Sequence, residues 1–127
     1  MKAPTVFLVG DDPAVCDSIT ELIESTGLQA ETFRSLQSFL DAVPPRRRGC
    51  MVVDADSSDL NSREQQVNLA DLCATMPVIL IIAHGDVPMA VRGLKAGAMD
   101  VIEKPYRDKQ LLDSIHKALE ANAATSR

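Results

Sequence analysis

The sequence predicts an α/β fold: a doubly wound, five-stranded parallel sheet with helices on both faces. Three observations carry that expectation. Five short apolar runs recur along the 127 residues, and helical patterning fills the intervals between them. Several of the runs are continuously apolar, as strands buried on both faces must be. A strand–helix alternation of this kind closes through right-handed crossovers, which lay the strands parallel and place helices above and below.

Taken in order, residues 5–9 form the first strand. Asp12 followed by Pro13 reads as an N-cap with proline in the first helical position. Val15, Ile19, Leu22 and Ile23 then recur at helical spacing, and Gly27 is expected to end that helix. Residues 29–33 mix polar and apolar groups, which suits an edge strand. Ser35 caps a second helix carrying Leu36, Phe39 and Leu40, which Pro44-Pro45 stops. The third strand is expected at 50–53, followed by a polar loop from Asp56 to Ser62. A helix over about 63–74 has the poorest apolar period of the set. Pro77 opens the fourth strand, 78–82. Asp86 begins a helix containing Met89, Ala90, Val91 and Leu94, closed by Gly97. Strand five spans 100–103, and the final helix, about 108–121, places Leu111, Leu112, Ile115, Ala118 and Leu119 on one side. The expected domain therefore covers residues 1–121, with 122–127 a frayed tail or the start of a linker to an output domain.

Composition narrows the function. A chain of this length holds one domain with a substantial core. With 46% hydrophobic and 24% charged residues it is ordinary globular protein, and with only 3% aromatic its core must come from Val, Ile, Leu, Met and Ala. The net charge of −5 argues against direct nucleic-acid binding. Arg46-Arg47-Arg48, after Pro44-Pro45, reads as a solvated loop. The longest apolar run, Pro77 to Ala83, is too short to span a membrane, and residues 1–4 are too short to be a targeting segment. Three cysteines without paired spacing favour a reducing cytoplasm. Cys50 and Cys73 lie in apolar segments and behave as small hydrophobes, and nothing in the sequence activates Cys16.

The chemistry sits where apolar runs hand over to polar residues. Val6 to Val9 ends in Gly10-Asp11-Asp12, Cys50 to Val53 ends in Asp54, and Val101-Ile102-Glu103 ends in Lys104-Pro105. In a parallel sheet these ends meet at one rim, where ligands of doubly wound folds bind. A carboxylate beside a bound cation, with an ammonium group opposite, can take up a phosphoryl group. Gly10-Asp11-Asp12-Pro13 is acidic where a nucleotide loop needs glycines and free N–H groups, so nucleotide binding is not expected. Taken alone, Asp54 also reads as a strand-terminal surface carboxylate and Lys104 as a solvated lysine. Asp12 reads as a cap more readily than as a ligand, though its charge stands next to Gly10.

With these residues in view, the chain resembles the receiver domains of two-component response regulators over roughly residues 5–121. The most specific stretch runs from Ala83-His84-Gly85-Asp86-Val87-Pro88-Met89-Ala90-Val91 through Lys95-Ala96-Gly97-Ala98 to Glu103-Lys104-Pro105, and resembles the FixJ type, whose receivers regulate an attached DNA-binding domain. Asp12-Pro13-Ala14-Val15 and Asp17-Ser18 add support. The resemblance implies the flavodoxin-like strand order 2-1-3-4-5, as in the chemotaxis receiver CheY. It implies that Asp54 is the phosphoacceptor, Lys104 the phosphoryl-binding lysine, and Asp11, Asp54 and the Asp56 carbonyl the ligands of a Mg²⁺ ion. Ala83 matches the small residue whose N–H approaches the phosphoryl group, and His84 stands beside it in the loop after strand four, where it is expected to line the site. His116 is expected at the surface.

The departures from that pattern are specific. Gly10 stands where the family usually has its first acidic residue. Ile82 replaces a Ser or Thr whose hydroxyl bonds the phosphoryl oxygen, and Val101 replaces the aromatic switch residue. Ser58 and Ser62 stand where a proline and a glycine normally shape the loop after the phosphoacceptor. The expected function is phosphoryl acceptance on Asp54 from a histidine kinase, regulating transcription through an attached output domain. Mg²⁺ binding is expected to be weak, and a homodimer to use the helix-four and strand-five face through exposed members of Met89, Val91, Leu94 and Lys95. The alternative is a phosphorylation-independent pseudo-receiver that acts as an interaction module. A Mg²⁺-dependent phosphohydrolase using Asp54 as nucleophile is a weaker third, since no residue recruiting an external substrate is visible; the domain is not expected to be an enzyme.

Overall fold

The computed structural model describes residues 4–43, 48–56, 60 and 62–125. Its elements alternate strictly: β1 (Thr5–Val9), α1 (Pro13–Glu24), β2 (Gln29–Phe33), α2 (Leu36–Ala42), β3 (Gly49–Asp54), α3 (Arg63–Thr75), β4 (Val78–Ile82), α4 (Val87–Ala96), β5 (Asp100–Glu103) and α5 (Asp108–Thr125). The five strands form one sheet in the order β2-β1-β3-β4-β5, with every pair parallel. Both the fold class and the strand order match the sequence expectation. Arg46, Arg47, Ser58, Pro44 and Pro45 lie outside the described residues.

Strand periodicity divides the core into two layers, because successive side chains point to opposite faces. Phe7, Val9, Met51, Val53, Leu80 and Ile82 pack against α2, α3 and α4 through Leu36, Phe39, Leu69, Leu72 and Met89. Val6, Leu8, Cys50, Val52, Ile79, Ile81 and Ile102 pack against α1 and α5 through Ile19, Ile23, Leu111 and Ile115. β3 is buried at all six positions, whereas β2 alternates between exposed and half-buried, as its edge position requires. Aliphatic residues dominate, but all three phenylalanines gather in one layer. Phe39 meets Phe7 and Phe33 edge to face, with ring centroids 5.2 and 5.4 Å apart.

The expected caps are in place. Asp12 accepts the Ala14 N–H ahead of α1, Ser35 accepts the Ser38 N–H ahead of α2, and Asp86 accepts the Met89 N–H ahead of α4. Gly97 ends α4 at φ +102°, a left-handed conformation. The α1 end differs from expectation. The helix stops at Glu24 with Ser25 as its cap, and Gly27, at φ +86°, lies in the turn beyond. Ser62 explains α3, whose apolar period is weak. Its hydroxyl accepts the Gln65 N–H, and Glu64 places a negative charge in the first turn, so the N-terminus is satisfied locally. The same serine that departs from the family loop pattern is therefore the helix cap.

The final helix runs to Thr125, beyond the 121 expected from periodicity. The reason is tertiary. Asn122 is buried, and its side-chain oxygen accepts the Gly49 N–H at the start of β3 across 3.0 Å. Gly49 sits at φ +143°, where a Cβ would overlap the Thr5 carbonyl oxygen on the neighbouring strand. Gly49→Ala should therefore lower stability by about 2–3 kcal/mol, read as a melting temperature about 10 °C lower. Gly27→Ala, whose Cβ would meet nothing within 4 Å, should cost clearly less in the same thermal melt.

Candidate functional site

Parallel register brings the carboxyl ends of the strands together. Val9 pairs with Val53, Asp54 with Ile81, and Ile82 with Glu103, so Gly10-Asp11, Asp54 and Lys104 all reach one rim. Parity then sets direction. Asp54 follows Cys50 and Val52 at intervals of two, and Lys104 follows Ile102, so both belong to the face that carries α1 and α5.

The two side chains meet. Lys104 Nζ lies 3.1 Å from Asp54 Oδ1 and 3.3 Å from Oδ2. The Asp54 carboxylate is only 1% exposed, and the Asp56 N–H also donates to its Oδ1 across 3.2 Å. Lys104 Nζ reaches a second carboxylate as well, Asp56 Oδ2, at 3.4 Å. Partial burial by itself would pull the Lys104 pKa down. The hydrogen bond and charge of Asp54, followed by those of Asp56, override that and leave it raised. The ammonium group therefore stays charged.

Asp11 is exposed and lines a cleft with Arg34, Ser35, Leu60 and Glu64. Asp12 is committed to its cap. The Cys16 thiol, 3.5 Å from the Gly10 carbonyl, reports how acidic this corner is. Burial raises its pKa first, and Asp54, Asp12, Asp17 and Asp11 each raise it further. Cys50 is pushed up to about 12 and Cys73 to about 11 by burial, so all three thiols are held away from the reactive thiolate form.

No group of three or more His, Cys, Asp or Glu side chains among the described residues has the arrangement of a metal site. The donors at this rim, two carboxylates and a main-chain carbonyl, nonetheless fit Mg²⁺. That ion is typically held by one or two carboxylates and keeps the rest of its shell as water.

Ala83 is half-buried, and its carbonyl accepts the Asp86 N–H. His84 is largely exposed, and its Nδ1 lies 3.3 Å from Glu103 Oε1. The other Glu103 oxygen accepts the Gly85 N–H across 2.8 Å. Glu103 thus straps the loop after β4 to the end of β5, a role the sequence reading did not assign; its adjacency to Lys104 was the available signal. Tyr106 was missed too. It lines a cleft beside the site with Ala14, Val15, Ser18, His84 and Lys104, and burial raises its phenol pKa even though Lys104 acts the other way. Ile82 and Val101 point to the opposite layer, into the core under α4. His116 is exposed, as expected.

Comparisons with known proteins place the chain in one family. The family model described as the response regulator receiver domain matches residues 6–116. The chain is 37% identical over 118 residues to the response regulator protein TodT of Pseudomonas putida, covering 93% of this chain and 52% of that protein. It is 39% identical over 116 residues to the transcriptional regulatory protein FixJ of Rhizobium meliloti, covering 91% and 57%. The chain therefore spans about half the length of the curated relatives it matches. Among solved structures, FixJ-N superposes with a TM-score of 0.81 at 38% identity, covering 94% of this chain and 96% of that one. The response regulator StyR superposes with a TM-score of 0.83 at 38% identity, covering 97% and 62%. A buried aspartate facing a lysine across the rim of a 2-1-3-4-5 sheet, together with these matches, shows that the chain belongs to the response regulator receiver domain family.

Proposed function

We propose that this domain accepts a phosphoryl group on Asp54 from a histidine kinase and controls an attached transcriptional output domain. Receivers of this family are signalling domains that interact with histidine kinases, and several of the matching relatives are transcriptional regulators. The observation that carries the reading is the buried Asp54 carboxylate held by Lys104 at 3.1 Å. An Asp54 oxygen attacks phosphorus as the phosphorus–nitrogen bond of the phosphohistidine breaks, and the electron pair returns to the imidazole. Lys104 lies where negative charge gathers in that transfer and stabilises it. Asp11, Asp54 and the Asp56 carbonyl are the residues that would hold Mg²⁺, which supplies charge neutralisation between carboxylate and phosphoryl oxygens. No helix among the described residues is long and apolar enough to cross a membrane, which is compatible with the cytoplasmic setting of such a relay.

A second reading, the phosphorylation-independent interaction module, is favoured by Ile82 and Val101. Both are apolar and packed in the α4 layer, Ile82 at 4% exposure. A ligand shifts an equilibrium only through contacts that differ between two states. Ile82 has no donor to be drawn toward a phosphoryl group, and Val101 has no ring to turn.

Three outcomes test these readings. In intact-mass measurements with Mg²⁺ and a small acyl phosphate, the wild type should label once, and Asp54→Asn should abolish labelling. Lys104→Ala should slow uptake by roughly a hundred-fold, the usual loss on removing one oxyanion-stabilising group. An inert wild type under those conditions would favour the interaction module.

Gly10 precedes Asp11 at the end of β1 and brings no carboxylate of its own. Gly10→Asp should tighten Mg²⁺ binding by roughly ten-fold, since a hard cation is held chiefly by anionic oxygens. Calorimetry showing no gain would remove Asp11 from the ligand set.

The face of α4 and β5 carries Val87, Val91, Leu94 and Met99, all exposed, beside exposed Lys95; Met89 is buried and drops out of the expected dimer surface. We expect self-association through this face to be largely independent of Asp54 phosphorylation. Sedimentation with and without beryllofluoride should show little change in the wild type. A larger shift is expected in Ile82→Thr/Val101→Phe, and a strong phosphate-dependent dimer in the wild type would refute the idea.

A further inference from the structure

The Asp56 side chain has no role in phosphoryl transfer as described so far; only its carbonyl does. Yet its Oδ2 lies 3.4 Å from Lys104 Nζ, on the same ammonium group that holds Asp54. We propose that the Asp56 carboxylate is a positioning residue that restrains Lys104, competing with the Asp54 site for its charge and so slowing phosphoryl uptake. This rests on the reading of Asp54 as phosphoacceptor.

Three features support it. First, Lys104 is shared, with its contacts to Asp54 at 3.1 and 3.3 Å only slightly shorter than the one to Asp56. Both carboxylates raise its pKa, so each interacts with the charged form. Second, the geometry is fixed by the short step between the two acids. The Asp56 N–H is tied to Asp54 Oδ1, which holds the second carboxylate's backbone against the first. Third, Ile82 packs its apolar side chain into the α4 layer and offers no hydrogen-bond donor at the rim, whereas Lys104 is a side-chain donor bonded to Asp54.

Uptake from an acyl phosphate is balanced within these groups. The bond from an Asp54 oxygen to phosphorus forms, the bond from phosphorus to the bridging oxygen breaks, and the donor leaves as a carboxylate. For that transfer Lys104 must turn toward the phosphoryl oxygens. Asp56 opposes the move twice: it retains a share of the ammonium charge, and it places a like charge beside an arriving dianion. Its side chain is 48% exposed, so the effect is partly screened and correspondingly modest.

The test uses the full chain with Mg²⁺ and a small acyl phosphate, following uptake by intact mass at low and high ionic strength. Asp56→Asn keeps shape and carbonyl while removing charge. It should accelerate uptake roughly two- to five-fold at low salt, the size expected of a partly exposed charge pair, and the gain should shrink at high salt. Asp56→Glu, which returns the charge, should reverse the gain. An Asp56→Asn variant that labels while the wild type does not would support the proposal most strongly. Unchanged or slower uptake in Asp56→Asn, with the wild type labelling on Asp54, overturns the proposal and leaves the phosphoacceptor reading intact. A salt-independent gain also overturns it, since the cause would then be shape rather than charge. Failure of both proteins to label overturns the phosphoacceptor reading, and the proposal with it.

Discussion

The structure turns on a carboxylate placed where water barely reaches it. Asp54 ends a strand buried at all six positions and is itself 1% exposed. Removing an ionised carboxylate from water costs several kcal/mol unless a partner and hydrogen bonds offset it. Lys104, fifty residues away in sequence, is a partner the topology supplies. It arrives because β5 runs parallel to β4 and β4 to β3, so that their carboxyl ends share a rim. The pairing is a weak source of net stability by the general argument about buried ion pairs. Its consequence is local: it fixes an ammonium group against a carboxylate shielded from water, where the charges act more strongly on each other than in bulk solvent.

The sheet also separates the two halves of any signal. Asp54 and Lys104 rise from the α1 and α5 face, while Ile82 and Val101 descend into the layer under α4. What joins the layers is main chain. The Lys104 N–H donates to the Ile82 carbonyl, and the Ala55 N–H donates to the Ile81 carbonyl. Glu103 adds a side-chain strap to Gly85 and His84 in the loop that leads into α4. Gly93 lets α4 lie close on the sheet, since a Cβ there would overlap the Leu80 side chain. The rim is therefore linked to the α4 side by these main-chain bonds and by the Glu103 strap.

Much of this was legible in the sequence, for reasons that differ by element. Continuous apolar runs marked β1, β3 and β4 because burial on both faces leaves no other composition open. The caps at Asp12, Ser35 and Asp86 were legible because side-chain capping is a local event. α3 was the weakest element, since Leu69 and Leu72 are its only residues in the buried set and its N-terminus depends on a single serine hydroxyl. The extension of α5 was hidden because its cause, Asn122 meeting Gly49, lies 73 residues apart in sequence. At the site, Asp54 and Lys104 were legible as strand-end residues. The Glu103 strap, the Tyr106 cleft and the contact of Asp56 with Lys104 were not, because each depends on where a side chain turns at or just beyond the end of its strand.

The charge balance of the rim bears on how the glycine at position 10 and the carboxylate at position 56 act together. Asp11, Asp12, Asp17 and Asp54 all act on one buried thiol, so their fields overlap, and Lys104 is the cation bonded within that group. A dianionic phosphoryl group approaching such a corner meets net repulsion unless positive charge is added. A glycine at position 10 removes one carboxylate from the neighbourhood, which weakens the hold on a hard cation but also relieves repulsion. The carboxylate at position 56 stands on the Lys104 side, 3.4 Å from the ammonium group. Negative charge is therefore missing at position 10, where it would help recruit a cation, and present at position 56, where it engages the lysine. Distribution matters here because the field of each carboxylate falls off with distance and burial.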